Sequence, residues 1–477
     1  MSEGHMTSIG RGAAYLMAAK AATFVLMAAH AVVIPRMLGP QTMGFYTYWL
    51  SIFFILANAF DFGGGAILNR YLPDYLNTNP SAVRPLLLKT SLVKLPVIVL
   101  IVSIGTVIFR DEARNFLAIA SSAAVFSLSM IVGAIFYAEK RLGILSLLGI
   151  SRLLIRMLLV LSLYPVFGEW GVLLAVIGSV VFNSSAFAVP ALKSLPPEKG
   201  PLPKPFKAYL TFGLWLYVGG LFAMMTRWAA VIMAERWIDD LAVVGFLGLG
   251  IQIGLFIVEF VSVVGISVFP SLIEFHATSD SRFGRSVELN WRYTNMLLLP
   301  MVGGALILVK PVVGILIGAQ FLPTADVVQR LLPYVVFLCW ASIHRQILYA
   351  FEKRNDMLRK PILEFIVFSL LAWRLIPAYG IHGAPIALGA AMLAGYLYAL
   401  LVSHRLEPIS GYIPSVLKPL FAASLMTGTL TFIPRDSVVS LAVCVILGAT
   451  VYMAVMWTIG GIDREDLSRI RAVFKKN

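Results

Sequence analysis

The sequence has few charged residues for its length. Asp, Glu, Lys and Arg make up 13% of its 477 residues, whereas a soluble globular protein carries about 25%. Hydrophobic residues account for 59%, and the mean hydropathy is +0.86. Because so little polar surface cannot cover a water-soluble core, the composition excludes a soluble globular protein.

Cysteines and catalytic motifs are also scarce or absent. The two cysteines, Cys339 and Cys444, both lie in apolar runs, so we expect no disulfide framework and no metal site. The sequence contains no P-loop, no His-Glu-x-x-His motif and no nucleophile elbow. We therefore expect neither an ATPase nor another enzyme, and no cofactor.

Apolar runs recur along the whole chain. A helix of roughly 20 such residues crosses about 30 Å of hydrocarbon, so we predict an all-α integral membrane protein with about 14 transmembrane helices. The first run is as long as a full span and lacks a small-residue cleavage site, which indicates no cleavable signal. The predicted spans are 13–34, 44–66, 89–109, 116–137, 145–166, 170–192, 208–231, 242–268, 294–317, 328–350, 361–379, 381–403, 417–434 and 437–460.

Lysine and arginine concentrate in alternate loops. The formal net charge is +14, but the bases cluster between apolar runs, which is typical of the cytoplasmic face of a membrane protein and not of nucleic-acid binding. This distribution predicts a multi-pass membrane protein with both termini in the cytoplasm. The base-rich segments are 70–89, 140–141, 193–207, 282–292, 353–360 and 464–476.

One proline-rich segment, KSLPPEKGPLPKPFK (193–207), separates two sets of six predicted helices. Proline prevents a helix from continuing and stiffens a connection. We predict an N-terminal six-helix lobe at 1–192, a cytoplasmic linker at 193–207, a C-terminal six-helix lobe at 208–403, and two extra helices with a basic tail at 404–477.

The two lobes resemble each other in sequence. YAEKR (137–141) in the first matches YAFEKR (349–354) in the second, and GEWG (168–171) matches GIHG (380–383). Since both lobes start on the same side, these matches predict a parallel repeat related by a pseudo-twofold axis along the membrane normal.

Several polar side chains fall inside the predicted spans. A charge at the centre of a span costs roughly 2.5–3.5 kcal/mol, so each of them needs a reason. The candidates for a cationic, substrate-binding central cavity are Lys20, His30, Arg152, Arg156, Arg227, His344 and Arg374. The candidates for coupling to a proton or sodium gradient are Asn58, Asp61, Gln252 and Glu259.

The spacing of Arg152 and Arg156 is the most informative of these signals. They lie one helical turn apart, where like charges repel each other, and this favours an environment that contains water or an anion. Arginine and lysine bind phosphate and pyrophosphate well. A basic interior with few carboxylates therefore predicts an anionic substrate.

Other interpretations stay open for the remaining candidates. Arg227 and Arg374 lie near the ends of predicted helices and could reach the interface. Lys20 could bond to Asp61, or to the asparagine one turn before it, as packing within the bundle. Asp61 and Glu259 could be counter-ions for nearby bases instead of coupling sites.

The first 75 residues contain a distinctive pattern. IPRMLGPQTMGFYTYW (34–49), followed by FDFGGGAILNRYLPDY (60–75), resembles the opening of the bacterial polysaccharide exporters, the O-antigen-type flippases of the multidrug/oligosaccharidyl-lipid/polysaccharide (MOP) superfamily. VGFLGLG (244–250) and ILIGAQFLPTADVVQRLLP (315–333) extend the resemblance to the second half. In physical terms the motif is structural: Pro35 would end the first span, Gly39 and Pro40 form a tight turn, and Gly44 begin the next span.

The resemblance implies a two-lobed, V-shaped bundle like that of the MATE transporters, which opens alternately inward and outward. It implies movement of an undecaprenyl-pyrophosphate-linked oligosaccharide, as in O-antigen and lipopolysaccharide synthesis, to the periplasmic face of the bacterial inner membrane. The two extra helices would suit a groove for the lipid tail. The implied partners are the lipid-linked oligosaccharide, membrane lipids and a polysaccharide polymerase or glycosyltransferase, with the protein itself a monomer.

Three alternatives remain. A lipid II flippase would use the same kind of cavity. A multidrug or cation antiporter of the same superfamily is disfavoured by the basic interior. A membrane glycosyltransferase is disfavoured because the sequence has no long loop to hold its active site.

Overall fold

A computed structural model of the protein describes residues 3–197, 200–278, 282–408 and 412–462. The described part is helical and contains no β-strand. The α-helices are α1 (Glu3–Asp61), α2 (Gly64–Thr78), α3 (Val83–Ile108), α4 (Ala113–Ala138), α5 (Leu142–Phe167), α6 (Glu169–Lys193), α7 (Phe206–Ile238), α8 (Leu241–Ala277), α9 (Arg282–Val312), α10 (Leu322–Ala350), α11 (Arg354–Tyr379), α12 (Gly383–His404), α13 (Tyr412–Thr431) and α14 (Val438–Thr458). The predicted basic residues at 464–476 lie outside the described residues.

The number of membrane-crossing helices agrees with the number predicted from the apolar runs. Within the described residues, 12 helical segments are long and apolar enough to span a membrane. Two of them, residues 22–61 and 354–404, each contain two helices, because α1 is broken at Gly39 and α11 is followed directly by α12. The prediction of an all-α membrane protein with about 14 spanning helices is therefore confirmed.

The first two spans meet at Gly39. Its backbone lies at φ 72° and ψ 171°, a conformation open to glycine because it has no Cβ. Pro40 then begins the second span, where its fixed φ and missing N–H suit the first turn of a helix. The expectation that Pro35 ends the first span is wrong, because helical dihedral angles continue past it and only Gly39 leaves the helical region.

The sequence did not predict α2, which has 15 residues and is too short to cross a bilayer. Gly63, at φ 81°, separates α2 from the preceding span. The helix buries Ile67, Leu72 and Tyr75 on one side and exposes Arg70 on the other. This amphipathic pattern explains why a search for uniformly apolar runs does not detect it.

The chain forms two compact units, Met1–Glu235 and Arg236–Asn477. The sequence places the division earlier, at the linker 193–207, and those lobe boundaries stay a prediction. α7 belongs to the first unit because it packs against the second half of α1. Tyr217 donates a hydrogen bond to the carbonyl of Ala59 at 3.0 Å, and the ring of Trp228 stacks on Phe54 with centroids 5.0 Å apart.

The two units contain matching helices and turns. α11 begins and ends 212 positions after α5. The turns that precede these helices contain Lys140 at φ 58° and Glu352 at φ 50°, and the turns that follow them contain Gly168 at φ 58° and Gly380 at φ 55°. Each of these pairs is also separated by 212 positions. The constant separation supports the repeat that the short sequence matches predict.

Candidate functional site

Arg152 and Arg156 lie on one face of α5 in the first unit. Their spacing of four residues aligns them on that face, and the rest of α5 is mainly leucine, isoleucine and valine. Arg152 Nη2 lies 3.5 Å from Asn183 Oδ1, and Arg156 Nε lies 3.5 Å from Ser179 Oγ. Both partners are neutral side chains of α6. Arg156 is 7% exposed, whereas Arg152 is half-buried.

Aromatic rings of the neighbouring helices complete this environment. The guanidinium of Arg152 lies 4.5 Å from the ring centroid of Phe126 on α4, and that of Arg156 lies 6.0 Å from the ring centroid of Phe53 on α1. Cation–π contacts of this kind stabilise a desolvated guanidinium without neutralising it. Among the described residues, no carboxylate forms an ion pair with either arginine.

The first half of α1 adds a histidine to this group. His30 is 8% exposed, and its Nε2 lies 3.4 Å from the hydroxyl of Tyr46. Both side chains lie close enough to Arg156 to interact with its guanidinium. We call the whole group the arginine cluster, and it consists of His30, Tyr46, Arg152, Arg156, Ser179 and Asn183.

The structure thus brings together three of the predicted substrate-binding residues, His30, Arg152 and Arg156. Sequence reasoning missed Tyr46 and Asn183. Asn183 is 1% exposed and donates from Nδ2 to Ser151 Oγ at 2.7 Å and to the carbonyl of Leu148 at 3.2 Å. Because these bonds occupy its amide nitrogen, its Oδ1 is directed towards Arg152. The sequence signal for Asn183 is an asparagine inside an otherwise apolar run.

Asp61 forms an ion pair with a lysine that the sequence analysis did not consider. Lys94 on α3 is 1% exposed, and its Nζ lies 2.7 Å from Asp61 Oδ1. The same ammonium donates to the carbonyl of Ser127 at 2.9 Å, while Asp61 accepts a hydrogen bond from the Gly65 amide at 2.9 Å. Among the candidate coupling residues, Asp61 therefore has a fixed basic partner.

The coupling candidates on α8 have a different environment. Glu259 is half-buried, and no base forms an ion pair with it in the part of the chain that the structure describes. Gln252, two turns earlier, has a buried Nε2 without a hydrogen-bond partner there. Asn58 belongs to the first unit and is half-buried on α1. Glu259 is thus a carboxylate without a fixed counter-ion.

The other predicted substrate-binding residues whose side chains the structure describes are not members of the arginine cluster. His344, in the second unit, is 1% exposed and hydrogen-bonds through Nδ1 to Ser403 Oγ at 2.7 Å. Arg374 is exposed on α11 and Arg227 is half-buried on α7. The side chain of Lys20 lies outside the described residues. No group of three or more potential metal ligands occurs among the residues described.

Comparison with protein families gives a match over much of the chain. The profile of a family described as polysaccharide biosynthesis protein matches residues 9–276, which is more than half of the 477 residues. The chain belongs to this family. The match covers the first unit from residue 9 onward, including the arginine cluster, and extends into α8 as far as residue 276. A search of curated proteins gives no match.

Solved structures share the fold. A structure of the lipid II flippase MurJ in an inward closed conformation matches with a TM-score of 0.72 at 13% identity, covering 94% of this chain and 98% of that chain. An inward-facing multidrug resistance MATE transporter of the MOP superfamily matches with 0.62 at 12% identity, covering 82% and 96%. A MOP transporter from Pyrococcus furiosus, described as having reverse polarity in its binding pocket, matches with 0.51 at 15% identity, covering 83% and 92%. Identities this low establish a common fold only.

Proposed function

We propose that the protein is a flippase that moves a polyprenyl-pyrophosphate-linked oligosaccharide from the cytoplasmic to the periplasmic face of the bacterial inner membrane by alternating access. Membership of a polysaccharide biosynthesis family supports the substrate class. The fold shared with MurJ supports transport. The observation that carries the proposal is the arginine cluster, whose two guanidinium groups have only neutral partners among the described residues.

A bound anion would offset the electrostatic repulsion between the two arginines. Two buried like charges repel each other, and each loses solvation. A pyrophosphate supplies negative oxygens that match the planar fork of a guanidinium. Since Arg152 is the more exposed of the two, it would contact the phosphate, while Arg156 beneath it would add positive potential. Asn183 would hold Arg152 in place through Oδ1.

Glu259 is the proposed site of coupling to a proton or sodium ion. Outward movement of an anion is favoured by an inside-negative potential, at about 2.3 kcal/mol per charge per 100 mV. A cation on Glu259 would then serve mainly to return the empty protein to its starting state. Asp61 fits this role less well because Lys94 already neutralises it.

Lipid II flipping is the second candidate, and one observation favours it. The MurJ structure covers 94% of this chain, whereas the MATE structure covers 82%. Lipid II also carries its headgroup on a polyprenyl pyrophosphate, so the arginine cluster suits both substrates. A cation antiporter fits less well, because unpaired arginines repel a cationic substrate.

A polymerase or glycosyltransferase would be the expected protein partner.

Complementation separates these functions. The gene is expressed in one strain that lacks its O-antigen flippase and in another depleted of its lipid II flippase. Rescue of the first strain alone supports oligosaccharide flipping, and rescue of the second alone assigns lipid II. An R152Q/R156Q variant that reaches the membrane at wild-type levels is expected to rescue neither. If the wild type rescues neither strain and moves neither lipid in proteoliposomes, the proposal is refuted.

A further inference from the structure

A short break separates α1 from α2 in the first unit. α1 ends at Asp61, and α2 begins at Gly64. The two residues between them, Phe62 and Gly63, both have left-handed backbones, with φ 45° and 81°. A helix that ends in this way leaves carbonyl groups without intrahelical partners and presents the negative end of its dipole. A cation is therefore favoured at the end of α1, all the more because Asp61 adds a carboxylate there.

The ammonium of Lys94 occupies this position and is surrounded by oxygen atoms. Its Nζ lies 2.7 Å from Asp61 Oδ1, 2.9 Å from the Ser127 carbonyl oxygen and 3.4 Å from Ser127 Oγ. Lys94 lies near the middle of α3 and Ser127 near the middle of α4, and their exposed fractions are 1% and 0%. The three oxygen atoms thus replace the hydration that a buried ammonium loses.

A further oxygen atom lies one helical turn from Lys94. It is the hydroxyl of Thr90, which is fully buried and makes no hydrogen bond within the described residues. Gly64 packs against both side chains, because a Cβ at this position would lie 2.5 Å from Lys94 Cε and 3.0 Å from Thr90 Cγ2. Only glycine lets α2 begin directly beside the lysine. The helix break and the buried ammonium therefore form one compact arrangement.

Carboxylate, carbonyl and hydroxyl oxygens are the ligands that hard cations prefer. In transporters, the ends of broken membrane helices and free main-chain carbonyls bind coupling cations such as sodium. We propose that Asp61, Thr90 and Ser127 form a binding site for a monovalent metal cation at the helix break, and that this chain fills it with its own ammonium, that of Lys94. We call it the Lys94 site. Because the tethered ammonium cannot leave the protein, the break is neutralised without an external ion.

An ordinary buried ion pair makes a different prediction. Lys360 and Glu364 of the second unit form such a pair, one turn apart on α11, with Nζ and Oε1 2.6 Å apart. Removal of the lysine at either place should destabilise the protein, because a buried carboxylate is left without its partner. Only at the Lys94 site should a sodium ion then take the place of the lost ammonium, because main-chain and hydroxyl oxygens lie beside the carboxylate there.

The experiment is thermal unfolding of the purified full-length protein in detergent. The wild type, K94A, K94M, D61N/K94A and K360A are each measured in choline, sodium and propylammonium chloride at equal ionic strength. K94A leaves room for a cation, K94M fills that room with an uncharged side chain, and propylammonium replaces the atoms that K94A removes. Relative to the wild type, sodium should raise the melting temperature of K94A alone, by a shift that grows with the logarithm of its concentration.

Stabilisation of K94A by sodium that is absent in K94M, D61N/K94A and K360A establishes the cation site. Stabilisation by propylammonium alone shows an ordinary ion pair and overturns the proposal, as does an equal effect of sodium on any of the three control variants. If K94A folds in none of the three salts, the oxygen atoms do not accept a free cation, and the proposal is wrong as well. None of these outcomes depends on whether the protein flips lipids.

Discussion

The helix pair α5 and α6 of the first unit corresponds in sequence position to the pair α11 and α12 of the second, but the two pairs differ in their buried charges. At the separation of 212 positions, Glu364 takes the place of Arg152 and Phe368 that of Arg156. Glu364 is paired with Lys360 one turn earlier, with Nζ and Oε1 2.6 Å apart. The helix pair of the second unit neutralises its buried charge internally, whereas α5 carries two arginines that form no ion pair with a carboxylate among the described residues.

The residue on the neighbouring helix that faces Arg152 or Glu364 also differs between the two units. Asn183 holds Arg152 in the first unit, and the equivalent position in the second is Gly395. A side chain at Gly395 would collide with Glu364. One helix pair is thus packed tightly around a closed ion pair, and the other around a positioned, unneutralised guanidinium. This difference indicates that only the first pair has charge available for a ligand.

The largest expected effect concerns the closed pair. Glu364→Gln leaves Lys360 buried without its partner, which should lower the free energy of unfolding by about 3–5 kcal/mol. The double variant K360M/E364M removes both charges and should recover most of that stability and transport normally. Thermal unfolding in detergent and complementation measure the two effects. Loss of transport in a stable double variant would place ligand charge in both units and remove the contrast.

A second test transfers the closed pair to the first unit. Leu148 and Arg152 occupy the positions equivalent to Lys360 and Glu364, so L148K/R152E should form an internal ion pair there. The protein should fold, but transport should fall at least about a hundredfold, because a charge-assisted contact is replaced by a neutralised pair that leaves no positive charge for the anion. Proteoliposome flipping measures the rate, with R152K as the control that keeps the charge. Normal flipping by the double variant would contradict the proposed role of Arg152.

Arg156→Ala should reduce transport by about ten- to a hundredfold, the loss expected for one charged hydrogen-bonding group. Arg156→Lys should retain part of the activity, because an ammonium keeps the positive potential but lacks the planar guanidinium that lies over the Phe53 ring. The equivalent change in the second unit, F368L, should leave transport near the wild-type rate. Equal activity of R156A and the wild type, at equal expression, would make Arg156 a packing residue.

The smallest expected effect concerns coupling. Glu259→Gln should reduce the response of flipping to an imposed proton or sodium gradient severalfold, while leaving the rate without a gradient almost unchanged. Asp61→Asn should instead destabilise the protein, because it leaves Lys94 buried and unpaired. The rates are compared in proteoliposomes with proton, sodium and voltage gradients imposed separately. A wild-type gradient response in E259Q would show that this carboxylate does not couple transport.

The sequence predicts the fold well, because the positions of membrane spans depend on local composition. It predicts Arg152 and Arg156 for the same reason, since a charge within an apolar run is visible without a structure. It does not reveal Lys94 as the partner of Asp61, because that contact joins residues 33 positions apart on two different helices. The sequence does not reveal the closed pair Lys360–Glu364 either. Lys360 falls just before the predicted span 361–379, where a lysine is expected to belong to a basic loop.

The most direct test of the account is the binding of a polyprenyl pyrophosphate to the purified protein. Affinity is measured for the wild type, for R152Q/R156Q and for K360Q/E364Q, which removes the closed ion pair of the second unit. We expect R152Q/R156Q to bind at least about tenfold more weakly and K360Q/E364Q to bind like the wild type. Equal affinity of R152Q/R156Q and the wild type, or an equal loss in both double variants, would contradict an anion site in the first unit.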